Sequence, residues 1–479
     1  MRATNRSRHV LALASVALLV ACNALTGAGD LTVNPCDGCE EVEGGIRIDG
    51  DIADGAGPGP LSDGSTDAPA GDTSKEGPGG MLDPTFGTGG FVVIDPLVDP
   101  RAVAVRADGR IVVVGQGSGH LAAAAFTTTG ALDSTFGTAG RVVKSDGSSS
   151  FGSAVAFDSQ GRAVVGGTSI TVTTVSTHFA YVVRIGASQA DATFANNGSL
   201  RGSNGGQGVR GVVVTGGDGV VLAITGGNDF GFVRLTAAGA PDGAFGNAGA
   251  AGFSNVGGTP TGLVAQTDGF LIAGTGSGPG GQSLTAAKLS LTGQPVSSFG
   301  TLGKAFSKVG PNNNETGQAL AAQTDGAVLI GGDYDPGVVN IRRVTAVTRL
   351  TSSGLVDATY ATAGKAVLDF SEPLVGKETE TTNTNLLLDA SGRTLVVGNL
   401  HDKLNVGSDR FRGWIARLRI DGTLDPLFGT QGKLVIGTAP SLLNVRGAAL
   451  QPDGKLVIVG VDNSVNKLFL ARIITSTTL

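Results

Sequence analysis

A short motif recurs along the chain, and this repetition constrains the fold more than any other feature. Its first copy, Leu82–Gly90, reads Leu-Asp-Pro-Thr-Phe-Gly-Thr-Gly-Gly. The aromatic residue marks seven copies, spaced 50 to 68 residues apart: Phe86, Phe136, Phe194, Phe245, Phe299, Tyr360 and Phe428. A repeat of this period indicates that each copy supplies one supersecondary unit, and that the units stack to bury a shared core.

Each unit also contains the signs of four short strands. Turn sequences such as Asp108-Gly109 and Asp453-Gly454 separate two β-rich runs, which predicts a hairpin with a type I′ turn and positive φ at both central residues. An apolar strand with a basic residue near its end follows, and another short strand comes after the motif. Units of about four strands at this period predict a β-propeller. A parallel β-helix is the second choice, because its coils are much shorter than these units.

The repeated positions also predict how consecutive units meet. All seven copies keep the last glycine of the motif, which predicts positive φ or a close chain approach there: Gly90, Gly140, Gly198, Gly249, Gly303, Gly364 and Gly432. A basic residue precedes the motif aspartate by seven or eight positions in these pairs: Arg184 and Asp191, Arg234 and Asp242, Arg349 and Asp357, Arg417 and Asp425. We expect ion pairs or Asx-type caps at the crossings between units.

The ends of this series predict closure of a ring. Arg472, the last basic residue, has no downstream aspartate, so its only available partner is Asp83 of the first copy. Two positions depart from the pattern: Ala125 replaces the basic residue before Asp133, and Val296 replaces the aspartate that would face Lys288.

Together, the motif, the Asp-Gly hairpin and the Arg-Leu strand resemble the delta-sixty β-propeller repeat of bacterial surface and secreted proteins, over residues 81–479. The resemblance implies a propeller-like fold and brings no catalytic residues with it. We therefore predict an all-β fold: a seven-bladed β-propeller built from about four-stranded repeats over residues 81–479, preceded by a disordered tether.

The N-terminus reads as an export signal. Three arginines precede an apolar run, Val10–Val20, that ends in Leu-Val-Ala-Cys, which is typical of a secretory signal peptide over residues 1–21. This ending resembles the lipobox of bacterial lipoproteins and implies a lipid attached to Cys22. Asn23 follows the cysteine rather than Asp, which favours the outer membrane and a periplasmic or cell-surface location. The alternative is a plain secreted protein.

The composition of residues 22–80 predicts a disordered tether that is acidic and rich in Gly and Pro. The stretch 37–80 has eleven acidic and two basic residues. From Gly55 to Gly80 the residues are mostly Gly, Pro, Ser, Asp and Ala, a composition that buries too little apolar area to fold. Cys36 and Cys39 lie here; in an exported chain they favour a local disulfide, with a free or shuffling pair as the alternative. The remaining repeat body is close to neutral, so nucleic-acid binding is not expected.

No motif in the chain predicts a reaction. The three histidines beyond the signal peptide, His120, His178 and His401, fall in different units at no ligand spacing, so we predict no metal site. Residues 276–281 match a dinucleotide fingerprint, but no helix follows to hold a pyrophosphate, so no cofactor is predicted.

The leading functional prediction is a membrane-anchored, non-catalytic binding or scaffold propeller with an unknown protein or envelope ligand. Insertions over Gly332–Arg343 and Leu374–Asn385 predict long loops, and loops carry binding more often than strands do. A propeller-type hydrolase or lyase with a site at the channel mouth is the alternative from another class. It would require carboxylates gathered with a histidine there. A purely structural envelope protein is the third possibility.

Overall fold

The structure, a computed structural model, describes residues 76–95, 98–203, 205–227, 229–312, 314–339, 341–370, 377–404, 409–437 and 442–478. The predicted signal peptide, Cys22, Cys36, Cys39 and nearly all of the predicted tether lie outside these residues. The described strands begin at Glu76 rather than at the predicted boundary, Met81. Within the described ranges, no helix is long and apolar enough to cross a membrane.

The described chain is almost entirely β-structure. Its strands in the first half are β1 Glu76–Gly77, β2 Met81–Leu82, β3 Phe91–Ile94, β4 Asp99–Val105, β5 Ile111–Gly117, β6 His120–Phe126, β7 Arg141–Lys144, β8 Ser149–Phe157, β9 Ala163–Val172, β10 Ser176–Ile185, β11 Ser199–Arg201, β12 Gln207–Val214, β13 Val220–Gly226, β14 Asp229–Leu235 and β15 Ala250–Phe253. A single 3-10 turn, Gly216–Asp218, is the one helical segment in the described part.

The second half of the chain contains the remaining sixteen described strands. They are β16 Pro260–Gln266, β17 Gly269–Gly278, β18 Gly281–Ser290, β19 Lys304–Ser307, β20 Thr316–Ala322, β21 Val328–Tyr334, β22 Ile341–Leu350, β23 Lys365–Leu368, β24 Lys377–Leu388, β25 Thr394–Leu404, β26 Arg410–Leu418, β27 Lys433–Ile436, β28 Leu443–Leu450, β29 Leu456–Asp462, β30 Lys467–Ile474 and β31 Thr477–Thr478.

These strands pair as antiparallel sets of four. The sheets β4–β7, β8–β11, β12–β15 and β16–β19 each stand alone, and β20–β27 form one sheet of eight. Within that large sheet, β22 and β24 pair in parallel over only two residue pairs, while β20–β23 and β24–β27 are each antiparallel. Seven blades is our interpretation of these sets, because the structure joins two of them through this parallel contact.

The first strands of the sets contact one another in sequence and return to the start. These contacts run β4 to β8, β12, β16, β20, β24 and β28, and from β28 back to β4. Between neighbouring sets lie hydrophobic clusters; Phe86, for example, packs with Ile111 of β5 and with Val457 and Leu470 of β29 and β30. The prediction of an all-β, propeller-type fold is therefore confirmed, with the first strands innermost.

Strands from both ends of the described chain close the ring. β28, β29 and β30 lack a fourth strand of their own, and β3 pairs with β30 in that place. β2 pairs with the end of β30, and β1 pairs with β31. The last set is thus completed by β3, the strand that follows the first motif copy, so the ring depends on contacts between residues far apart in sequence.

The hairpin turn at Asp108-Gly109 differs from the predicted type. Gly109 N donates to Arg106 O at 2.9 Å and Arg106 N to Arg110 O at 2.8 Å, so three residues rather than two form the loop. Gly109 has φ +83°, whereas Asp108 does not have positive φ. The prediction of a type I′ turn is wrong here: the geometry is a type I turn followed by a left-handed glycine, the common three-residue hairpin. Asp108 instead accepts a hydrogen bond from Arg110 N.

One of the two predicted loops is mainly strand. From Lys377 the second insertion continues as β24, which pairs with β25 from Lys377–Leu404 to Leu388–Thr394. The alternation of Thr and Glu in Lys377–Thr382 permits an extended strand, and pairing with β25 satisfies its backbone groups. The insertion therefore lengthens a hairpin instead of adding a free loop.

Candidate functional site

The repeated motif forms a structural contact between neighbouring sets of strands, not a reactive site. We call this contact a joint. Its aromatic residues are buried between neighbouring sets, except Phe136, which is only partly buried. Its last glycine has φ between +81° and +93° in all seven copies, as the sequence predicts: Gly90, Gly140, Gly198, Gly249, Gly303, Gly364 and Gly432. A side chain at Gly90 would also come within 2.8 Å of Leu82 Cβ.

Each predicted arginine and aspartate pair is in ion-pair contact. The shortest distances between nitrogen and carboxylate oxygen are Arg184–Asp191 2.8 Å, Arg234–Asp242 3.1 Å, Arg349–Asp357 2.7 Å, Arg417–Asp425 2.8 Å and Arg472–Asp83 2.9 Å. At the two departures, other residues take over: Arg110 lies 3.3 Å from Asp133, and Lys288 lies 2.9 Å from Asp268.

The surroundings of four motif aspartates lower their pKa: Asp83, Asp133, Asp191 and Asp357. Burial raises the pKa of Asp83, but hydrogen bonds from Thr85 and the charges of Lys455 and Arg472 outweigh it and lower that pKa to about 2. Thr135 has the same position in the second copy, and the hydrogen bond from its hydroxyl is the main cause that lowers the pKa of Asp133. A carboxylate held in this form cannot serve as a general acid near neutral pH.

The histidines do not meet a cluster of acids. His120 Nδ1 lies 2.9 Å from Ser148 O, and His401 Nε2 lies 3.0 Å from Asp409 Oδ2 while its ring stacks on Phe411. Among the described residues, no group of three or more His, Cys, Asp or Glu side chains could hold a metal ion. Trp414 is fully buried in the cluster between β20–β23 and β24–β27, with its indole N–H donated to Asn399 O.

A second repeated feature, which the sequence interpretation missed, lies on the innermost strands. Every first strand has a β-bulge, where one residue is left out of the pairing with the second strand. We call these residues the bulge ring: Arg101, Ser153, Arg210, Thr261, Gln318, Thr384 and Arg446. Because the first strands are innermost, the bulges place one polar residue per set near the centre of the fold.

Two hydroxyl side chains of the bulge ring donate hydrogen bonds to the backbone of the next first strand. Ser153 Oγ donates to Val209 O at 2.5 Å, and Thr261 Oγ1 donates to Gly317 O at 3.2 Å, so each hydroxyl reaches the next first strand. The guanidinium of Arg101 stacks on the ring of Phe151 at 3.9 Å. The two hydroxyls therefore pack against neighbouring strands, whereas the three arginines of the bulge ring are exposed to solvent.

The bulge ring is strongly basic. Three of its seven members are arginines and none is acidic, although the repeat body as a whole is close to neutral. Burial lowers the pKa of Arg101, and the charges of Arg446 and Arg210 lower it further against the opposing effect of Asp99. In the described ranges, neither Arg210 nor Arg446 has a carboxylate at ion-pair distance. The three arginines repel one another, and of the described carboxylates Asp99 alone lies at ion-pair distance from any of them, 3.9 Å from Arg101.

The sequence did contain a sign of this site. Arginine followed by a small residue recurs at the start of the first strand in three units, at Arg101-Ala102, Arg210-Gly211 and Arg446-Gly447. The bulge itself depends on strand register, which the sequence does not reveal. Without it, these arginines read as solvated strand residues.

Comparisons with solved structures find propellers of several activities. A structure described as streptogramin B lyase has a TM-score of 0.44 and 11% identity, covering 80% of this chain and 98% of that chain. A virginiamycin B lyase from Staphylococcus aureus has a TM-score of 0.45 and 9% identity with the same coverage. A PQQ-bound aldose sugar dehydrogenase from Streptomyces coelicolor has a TM-score of 0.35 and 14% identity, covering 67% and 93%. Likenesses this distant indicate nothing about what this chain binds.

Sequence comparisons are more limited. No curated protein matches the chain significantly. The family described as "Domain of unknown function (DUF5122) beta-propeller" matches residues 106–136 and 451–473. Over these two segments, which include the Arg110 and Lys455 hairpins, the chain is similar to a propeller family, in agreement with its fold.

Proposed function

We propose that this protein is a non-catalytic binding propeller of the bacterial cell envelope, and that the bulge ring binds a negatively charged group of its ligand. The observation that supports this proposal is the set of three mutually repelling arginines on the innermost strands, where Asp99, 3.9 Å from Arg101, is the one described carboxylate at ion-pair distance. Like charges held together favour an anion between them, because the anion removes their mutual repulsion.

The composition of the bulge ring also supports a binding role over a catalytic one. Its other members are hydroxyl and amide side chains, which orient a ligand but do not titrate near neutral pH. A lyase or hydrolase would require a general acid or base within reach of the substrate. His120 and His401 engage Ser148 and Asp409 instead of the bulge ring. His178 lines a cavity with Arg210, but none of the described residues around that cavity is a carboxylate.

Titration with a small multivalent anion tests the binding site. We expect citrate or pyrophosphate to bind the full-length protein in calorimetry at low salt, and the affinity to fall as salt is added. Arg446→Ala should weaken binding about tenfold or more, since a hydrogen bond to a charged group contributes about 1.5–3 kcal/mol.

A matched control is Arg201→Ala, which removes an exposed arginine that stacks on Phe179 away from the bulge ring. It should leave the affinity unchanged. Equal losses for Arg446→Ala and Arg201→Ala would mean that only the overall charge attracts the anion, and the bulge ring would then be rejected as the site.

The anchor is the second part of the proposal. A lipid on Cys22, after removal of residues 1–21, would hold the propeller at the outer membrane through the tether, because several acyl chains together bind a bilayer firmly. Cys22→Ser should therefore move the protein from the membrane fraction to the soluble fraction of cells that express it, and abolish incorporation of labelled fatty acid. Retention of the Cys22→Ser protein in the membrane fraction would contradict a lipid anchor.

A further inference from the structure

The joint between β4–β7 and β8–β11 lacks an arginine side chain, because Ala125 occupies the position of the arginine. The backbone there is the same as at the other joints: Ala125 N donates to Gly140 O and Asp133 N donates to Ala125 O, at 3.1 and 2.9 Å. Arg184 makes the same two contacts with Gly198 and Asp191. Ala125 therefore occupies the arginine position of the joint, but its side chain ends at Cβ.

The arginine at an intact joint makes four kinds of contact. Arg184 Nε lies 2.8 Å from Asp191 Oδ2, Nη2 donates to Thr193 Oγ1 at 3.0 Å, and Nη1 donates to Ala237 O. Its guanidinium also lies over the ring of Phe194, at 4.8 Å from the centroid. Arg472 repeats this set with Asp83, Thr85, Thr128 and Phe86.

The partners of the missing guanidinium are all present around Ala125. Asp133 is 9% exposed, and its Oδ1 accepts hydrogen bonds from the backbone and hydroxyl of Thr135. Asp133 Oδ2 has only Arg110 Nη1, at 3.3 Å, whereas Asp191 Oδ2 has two arginines at 2.8 and 2.9 Å. One acceptor position on a buried carboxylate is thus left for another donor.

The carbonyl and the aromatic face are also available. Gly137 N donates to Ala187 O as Ala195 N donates to Ala238 O, so Gly186 O takes the place that Ala237 O has for Arg184. Phe136 is the one motif aromatic that is not fully buried. An uncovered aromatic face beside a carboxylate attracts a planar cation.

A cavity fills the space of the absent side chain. Its volume is about 150 Å³, and Ala125, Asp133, Thr135, Phe136 and Gly186 are among the residues that line it. An apolar cavity of roughly 150 Å³ holds benzene, which is larger than a guanidinium. The other arginines on its wall are already paired: Arg106 with Asp108, and Arg162 with Asp158 and Asp191.

We propose that the cavity at Ala125 is a binding site for a guanidinium group carried by a ligand. The ligand's guanidinium donates to Asp133 Oδ2, Thr135 Oγ1 and Gly186 O, and it stacks on Phe136. The six other joints contain their own basic side chain, so one such site exists among the described joints of the repeat. It lies between β4–β7 and β8–β11, apart from the bulge ring.

Calorimetric titration of the full-length protein with methylguanidinium tests the site. We expect one molecule to bind with a dissociation constant in the millimolar range, as befits a fragment of few atoms. Methylammonium should bind at least about tenfold more weakly, because it lacks the planar fork that matches a carboxylate. N-acetyl-arginine amide distinguishes the source: tighter binding than methylguanidinium indicates an arginine of a partner protein, and binding of methylguanidinium alone indicates a small free compound.

Three variants complete the test. Ala125→Arg should abolish binding, because the new side chain fills its own joint, and Asp133→Asn should weaken it at least tenfold. Ala125→Ser leaves the cavity open and should retain binding. Absence of saturable binding below about 50 mM, or equal binding to wild type and Ala125→Arg, would overturn the proposal.

Discussion

Arg417→Ala is expected to destabilise the protein by about 3–5 kcal/mol, the range for breaking a buried ion pair. Arg417 is fully buried, and its Nε lies 2.8 Å from Asp425 Oδ2. Its Nη1 also donates to Thr475 O, which ties the sixth joint to the end of β30. Removal of this guanidinium leaves Asp425 buried with only more distant arginines, Arg393 at 3.8 Å and Arg419 at 3.9 Å.

The shift of the urea unfolding midpoint measures this effect, and Arg234→Ala provides a matched control. Arg234 has the same position in its own unit and pairs with Asp242, but the two side chains are 27% and 23% exposed. A more solvated pair contributes less, so we expect a loss of about 1 kcal/mol or less. Equal losses for the two variants would show that burial does not set the strength of these joints.

The joints were predictable from the sequence because their partners lie close along the chain. A spacing of seven or eight residues between Arg184 and Asp191, or between Arg417 and Asp425, spans a strand end and a turn, so the contact follows from local geometry. The conserved glycine likewise reports a backbone angle directly. The repeat also predicted the pairing of Arg472 with Asp83, because these two residues meet only if the last unit closes on the first.

The bulge ring could not be predicted in the same way. A bulge is a property of the register between two strands, and Arg101, Arg210 and Arg446 are brought near one another only when the first strands close into a ring. The vacancy at Ala125 was visible as a departure from the pattern. Its meaning as a cavity required the positions of Phe136 and Gly186, which a linear comparison does not give.

The register of the long hairpin also creates a buried carboxyl that no motif marks. Asp333 is the next-to-last residue of β21 and is 1% exposed, with its Oδ1 accepting hydrogen bonds from Thr345 Oγ1 and Asn383 N at 2.9 and 2.8 Å. Burial is the main cause that raises the pKa of Asp333 to about 7, and Glu380 adds to it, while the hydrogen bonds and Arg343 oppose it. Near neutral pH this carboxyl therefore changes its charge inside the fold.

We expect stability to fall as pH rises from about 4 to about 7, and to be independent of Asp333 above that. The folded state holds the proton more tightly than the unfolded state, whose carboxyl has the ordinary pKa of 3.8, so deprotonation favours unfolding throughout this window. Each unit of pKa difference corresponds to about 1.4 kcal/mol, which gives a cost on the order of 4 kcal/mol at pH 8. Asp333→Asn, which mimics the protonated side chain, should remove this cost.

Unfolding free energies of wild type and Asp333→Asn at pH 5 and pH 8 measure the effect, with Asp357→Asn as the control of opposite sign. The hydrogen bond from the Thr359 hydroxyl is the main cause that lowers the pKa of Asp357, and the charge of Arg349 adds to it. Its carboxylate therefore stabilises the fold above pH 4, and Asp357→Asn should destabilise the protein at both pH values. If Asp333→Asn is no more stable relative to wild type at pH 8 than at pH 5, then Asp333 is not protonated in the fold. The hydrogen bonds at Oδ1 would in that case outweigh its burial.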